Sequence, residues 1–316
     1  MTRRPLLLLV ALVVTAVGAP ALAPYGPAER FGDHQHAPPM RVHVGASGLY
    51  AHPVTLIDRL EQRFAVDTSR RVALPWSARE AADPVFLLGA DASGRDVLSR
   101  MLHGARNSLG LALVATAATL LLGALLGLWA GYAGGAVERV VVTVGDLLLV
   151  LPLLYVVVAL RAALPLVLPL GAVVLTLAVI FVALGWPRVA RGVRAIVKAE
   201  ADREHVQAAV ALGASRWRVM TRHLLPACSG HLAVQTALLV PMFVLAEATL
   251  SYVGLGFPEH VPSWGTALSD ATGVVAMTRA PWTLAPAAAV FLVVLVTNVL
   301  LEPSRHDAVA DVSRSG

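Results

Sequence analysis

Residues 109–130 read Leu-Gly-Leu-Ala-Leu-Val-Ala-Thr-Ala-Ala-Thr-Leu-Leu-Leu-Gly-Ala-Leu-Leu-Gly-Leu-Trp-Ala, 22 positions without a charge. As a helix rising 1.5 Å per residue this run covers about 33 Å, enough to cross the ~30 Å hydrocarbon core of a bilayer. Val140–Leu160 repeats the signal with Asp146 as its single charged residue. Across all 316 residues, 57% are hydrophobic and only 14% charged, and the mean hydropathy is +0.71. Soluble domains carry roughly a quarter charged residues, so most of this chain's surface does not face water. No alternating ten-residue strands of an outer-membrane barrel are visible. An all-α integral membrane protein is expected.

Six apolar spans can be placed, at 5–24, 107–130, 140–160, 166–186, 231–255 and 284–302. Arg3 and Arg4 precede the first, and Ala21-Leu22-Ala23 resembles a signal-peptidase site. Pro24 would follow that cut and disfavours it, so the first span is read as uncleaved. The stretch 25–106 is polar, broken by Pro and Gly, with a short amphipathic run at Leu56–Phe64; an insertion with little core of its own is expected. The loop 187–226 carries Arg188, Arg191, Arg194, Lys198, Arg203, Arg216, Arg218 and Arg222, whereas the loops 161–165 and 257–283 hold only Arg161 and Arg279. Short loops rich in Lys and Arg stay in the cytoplasm. That places 187–226 and both termini inside and 25–106 outside. The net charge of +5 is thereby explained by membrane topology, and no nucleic-acid partner is expected. The single cysteine, Cys228, is read as a packing residue.

The segment Arg203–Pro226 has its own local logic. Val206, Ala209, Val210 and Gly213 follow helical spacing. Gly213 is placed to end that helix in a left-handed cap. Ser215 can cap a second helix through Trp217, Met220 and Leu224, and Pro226 stops or redirects it. Two short helices with an elbow are predicted. By composition alone the segment equally suits an amphipathic helix on lipid headgroups.

Spacing adds a resemblance. Gln207-Ala208-Ala209, three residues, Gly213, nine residues, His223, then Leu225-Pro226 resembles the EAA loop of bacterial ABC importer permeases. In that family the loop is a coupling helix that fits a groove on the ATPase. Gln207 replaces the family's glutamate and His223 its usual isoleucine, and Arg-His-Leu-Leu-Pro226 resembles the dipeptide/oligopeptide/nickel branch. Leu88-Gly-Ala-Asp-Ala-Ser-Gly-Arg-Asp96 followed by His103-Gly-Ala-Arg-Asn-Ser-Leu109, Ala130-Gly-Tyr-Ala-Gly-Gly135, Asp146-Leu-Leu-Leu-Val-Leu-Pro152, Glu247-Ala-Thr-Leu-Ser251 and Pro262-Ser-Trp-Gly265 resemble that branch in the same order. The resemblance implies a type I ABC importer permease with six transmembrane helices and a long extracytoplasmic insertion after the first. The organisation would be a first span at 1–24, the insertion at 25–106, a permease core at 107–303 with a coupling loop at 187–230, and a cytoplasmic tail at 304–316. It further implies a peptide cargo, a homologous second permease, cytoplasmic ATPase subunits holding ATP and Mg, an extracytoplasmic solute-binding protein, and residence in the bacterial inner membrane.

The chain lacks a phosphate-cradling Gly-x-x-x-x-Gly-Lys-Ser/Thr loop, since its only lysine is Lys198, flanked by Val197 and Ala199. It is therefore not expected to be an enzyme or to hold a cofactor. His34, His36, His43 and His52 fit no standard ligand spacing, and no metal is expected. Charges within spans are costly, at least about 2.5 kcal/mol each. Glu247, with Ser251 one turn on, and Asp146 are thus candidates to line the translocation path; the plainer alternative is hydrogen bonding between helices. Asp91, Arg95 and Asp96 suit an ion-paired turn leading into the second span. An ion-coupled secondary transporter is the competing reading, but the repeated hydropathy pattern it would favour is not visible.

Overall fold

The computed structural model describes residues 14–45, 48–59, 61–74, 76, 83–163 and 168–314, side chains excepted at 161, 162, 275 and 300–314. It is mostly helical. The long helices are α1 (Val97–Ala133), α2 (Gly135–Val150), α3 (Leu153–Ala163) and α4 (Leu170–Ala201). Then follow α5 (Glu204–Ala211), α6 (Arg216–Val219), α7 (Ser229–Tyr252), α8 (Trp264–Asp270), α9 (Val274–Arg279) and α10 (Ala285–Arg314). Among the described residues four helical stretches are long and apolar enough to cross a membrane: α1, α4, α7 and Pro281–Val299. Of the first expected span, 5–24, residues 5–13 lie outside those described.

The chain divides into two compact units. One holds Leu111–Val244 and the chain from Thr297; α4 is its organising helix. Gly123, Gly127 and Gly131 of α1 lie against Val189, Val193 and Val197 of α4, where an added Cβ would come within 2.6 to 2.8 Å. Glycines at four-residue spacing let two backbones approach closely. The pairs climb together along both helices, so α1 and α4 run parallel. The segment between them must therefore return across the bilayer. Helix α2, which begins that segment, packs antiparallel to α4, with Glu138 reaching Arg194 and Lys198 while Asp146 reaches Arg191. α7 also lies antiparallel to α4, Phe181 stacking on Phe243 at 5.0 Å and Gly192 meeting His231.

Two sequence expectations change in this unit. The span expected at 140–160 is broken, α2 and Leu153–Leu160 meeting at 86°. Pro152 supplies no N–H and pushes Leu151 out of helical geometry, to ψ 118°. The span expected at 166–186 instead runs on through Pro187 to Ala201, about 22 Å beyond the expected end. The first part of the predicted loop 187–230 is thus helix.

The other unit holds the described part of 3–110 together with Leu245–Val296. Five strands appear here, so the fold is not all-α. β1 (Val42–Gly45), β2 (Gly48–Ala51) and β5 (Val72–Ala73) form one antiparallel sheet. β3 (Val54–Asp58) and β4 (Arg63–Val66) pair as a hairpin where an amphipathic run was expected. The stretch also has a core, contrary to expectation: Ala37, Met40, Ala51, Val54, Val72, Leu74, Val85, Phe86 and Ala90 are buried together. Tyr25, Phe31 and Phe86 meet edge to face at its margin.

The expected ion-paired turn is present and has a partner that its local sequence does not reveal. Arg95 Nε contacts Asp91 at 2.7 Å and its Nη2 contacts Asp270 of α8 at 2.9 Å. Arg100 Nη1 reaches Asp91 at 2.6 Å and Asp270 at 2.5 Å. Burial works to raise the Asp91 carboxyl, yet Arg95 and Arg100 beside it hold it below the usual range. Asp96 caps α1 by accepting from Ser99 N at 2.8 Å. Burial pushes Asp96 up to about 6 in spite of the bonds from Ser99.

Candidate coupling site

The elbow begins where α4 ends. Asp202 closes α4, and Arg203 turns to extended backbone at ψ 145° before α5 starts. α5 ends at Ala211, and Gly213 takes the left-handed conformation at φ +83°. Such a φ is open to glycine at little cost and strains other residues. Leu212 N, Gly213 N and Ala214 N close the turn onto Ala208 O, Val210 O and Ala209 O. Ser215 then caps α6, accepting from Arg218 N at 3.3 Å. The two helices, their glycine stop and their serine cap agree with the sequence reading.

Past α6 the backbone widens into a π turn over Met220–Leu224, with Leu225 N bonding Met220 O. The cause lies at Pro226, which lacks an N–H and whose ring would crowd the Arg222 carbonyl in a regular helix. Pro226 therefore redirects the chain rather than stopping it; helix resumes over Leu225–Ala227 and again in α7.

The elbow has an inner and an outer side. Val206, Val219, Leu224 and Cys228 are buried. Gln207, Ala208, Gly213 and Pro226 are exposed, with Ala209, His223 and Leu225 partly so. All seven expected coupling residues thus fall within one stretch. Leu212 and Trp217, which the spacing did not single out, are 89% and 67% exposed. Their signal was in the sequence: they flank Gly213 in a segment otherwise rich in Arg. The rings of His205 and His223 lie 6.1 Å apart in the same segment.

The expected path residues separate. Glu247 is fully buried in α7, its Oε1 accepting from Ser251 Oγ at 2.7 Å, and Ser251 Oγ in turn accepts from Phe257 N. The hydroxyls of Ser108 and Ser263 lie close by. These surroundings favour a hydrogen-bonded post inside the unit over a path-lining group. Asp146 lies elsewhere, half exposed and paired with Arg191.

Comparison with known proteins fits this geometry. Residues 123–302 match the family described as binding-protein-dependent transport system inner membrane component. The di/tripeptide transport system permease protein DppC of Pseudomonas aeruginosa is 32% identical over 93% of this chain and 83% of its own length. The oligopeptide permease protein OppC of Lactococcus lactis subsp. cremoris is 31% identical over 68% and 71%. The glutathione permease protein GsiD of Pectobacterium atrosepticum is 31% identical over 70% and 71%. With multiple membrane-crossing helices and an exposed helical elbow at the end of one of them, the chain belongs to the binding-protein-dependent transport inner membrane family, as the multi-pass permease component of an ABC importer.

Proposed function

We propose that this permease carries small peptides across the bacterial inner membrane and is driven through the elbow 203–226 by a separate ATPase. The names of its relatives, which span di/tripeptide, oligopeptide and glutathione permeases, support the cargo class. One observation carries the coupling: the elbow is exposed, turned at Gly213, and continuous with the membrane-crossing α4. Gln207, Ala208, Ala209, Gly213, His223, Leu225 and Pro226 form the coupling set, with Arg203, Arg216, Arg218 and Arg222 surrounding it to suit an acidic groove.

The motor binds ATP and Mg in its own chain, a homologous permease completes the pore, and a solute-binding protein delivers cargo outside. Both termini and the elbow face the cytoplasm, and 25–106 faces out. Asp146 is retained as a path-lining group, while Glu247 and Ser251 serve as a fixed post. Coupling requires the ATPase to contact two states of the elbow differently.

Replacing Gly213 by Trp tests the docking. An added Cβ there meets nothing within 4 Å, but the φ of +83° strains any side chain, so Gly213→Asn, the small residue that best tolerates that φ, is the control for backbone strain. In the reconstituted complex, peptide uptake and transport-stimulated ATP hydrolysis should fall at least about tenfold while membrane insertion is retained. Unchanged uptake would sink the docking model.

A further inference from the structure

Gln207 sits where membrane helix α4 hands over to the elbow. Its side-chain Nε2 donates to Ala201 O at 2.8 Å. Ala201 is the last residue of α4, and the closing carbonyls of a helix lack intrahelical donors. The same joint is braced by Glu200, whose carboxylate holds Arg203 Nε at 3.1 Å and His205 Nε2 at 3.4 Å. Two residues therefore clasp the bend at 202–203 from opposite directions, Glu200 reaching forward and Gln207 reaching back.

The chemistry at 207 is directional. A carbonyl is an acceptor, and only a donor satisfies it. The glutamine amide supplies one. A glutamate of the same shape would set two acceptor oxygens against Ala201 O, with the Glu200 charge nearby adding repulsion. We infer that Gln207 serves the coupling set as a positioning residue: it latches the elbow to α4, so that α4 and α5 turn as one body and the motor's push on its neighbours reaches the membrane helix. This deepens the coupling reading above, and its first test does not depend on that reading.

Spin labels at 195 and 210, both exposed, in a full-length Cys228→Ser background report the α4 to α5 distance without any partner. The wild-type distribution should be narrow. Gln207→Glu and Gln207→Ala should broaden it, and Gln207→Lys, which keeps a donor of sufficient length, should restore it. In the reconstituted complex, uptake of labelled tri-alanine should fall about fivefold in Gln207→Glu, the factor expected for losing one such hydrogen bond. ATP hydrolysis by the complex should persist. A narrow distribution in Gln207→Glu, a rise in its uptake, or a Gln207→Lys variant as loose as Gln207→Glu overturns the latch. If Gly213→Trp transports normally while the distances behave as expected, the docking reading fails and the latch stands.

Discussion

At the scale of single residues, the most informative positions are those whose charge conflicts with their burial. Asp96 is 2% exposed, and its folded pKa of about 6 lies above the ordinary 3.8. A carboxyl with a raised folded pKa binds its proton more tightly when folded. Stability therefore rises as pH falls through 6 toward 4, by up to about 3 kcal/mol. Asp270, also raised by burial against the pull of Arg100 and Arg95, acts in the same sense. Asp91 acts oppositely, its contribution being lost as pH falls from the ordinary 3.8 through its depressed folded pKa, below the window set by Asp96. The purified full chain should thus show a higher thermal midpoint by tryptophan fluorescence at pH 5 than at pH 7. Asp96→Asn, which can still accept from Ser99, should raise the pH 7 midpoint and flatten the slope; an unaltered slope contradicts this account. Turn chemistry is local, so Gly213 and Ser215 were legible in sequence. The pairing of Arg95 with Asp270 was not, since their partnership is made by the fold across 175 positions.

At the scale of elements, the parallel seam between α1 and α4 is the most exacting contact. A Cβ at Gly127 would lie 2.7 Å from Ala190 O and 2.8 Å from Val193 Cβ. Gly127→Val should cost at least about 1–3 kcal/mol, the usual range for overpacking. It should cut the yield of folded protein in a detergent size-exclusion assay, and Val193→Ala should restore part of that yield. If Gly127→Val purifies as well as wild type, the seam is not close-packed. Helix boundaries were where sequence reading failed, for two opposite reasons. Hydropathy averaged over 140–160 hid what Pro152 does to the backbone. Charge between 188 and 198 suggested a loop, although Val189, Val193 and Val197 keep a helical stripe through it. Both signals were present but were outweighed by composition. The strands of 42–73 were missed because each is only two to five residues long and lies among Pro and Gly.

At the scale of the molecule, the proposed orientation, with the arginine-rich elbow inside and 25–106 outside, is simple to test with native chemistry. Cys228 is the only cysteine and is buried, so introduced cysteines report cleanly. Val44 is 84% exposed and Leu212 is 89% exposed. Val44→Cys in intact cells stripped of their outer barrier should react with a membrane-impermeant maleimide. Leu212→Cys should react only after the membrane is opened. The reverse pattern would turn the protein over and remove the elbow from any cytoplasmic motor.

The glycine face of α1 also sets a timetable for biosynthesis. Its seat, Val189 to Val197, is made about 66 residues after Gly123 leaves the ribosome. At roughly 5–20 residues per second that is a wait of about 3 to 13 s. For those seconds α1 sits in lipid with an exposed notch that any passing small-residue helix could fill. Chains truncated before residue 186 should consequently be held by membrane chaperones or degraded, however well α1 itself has inserted.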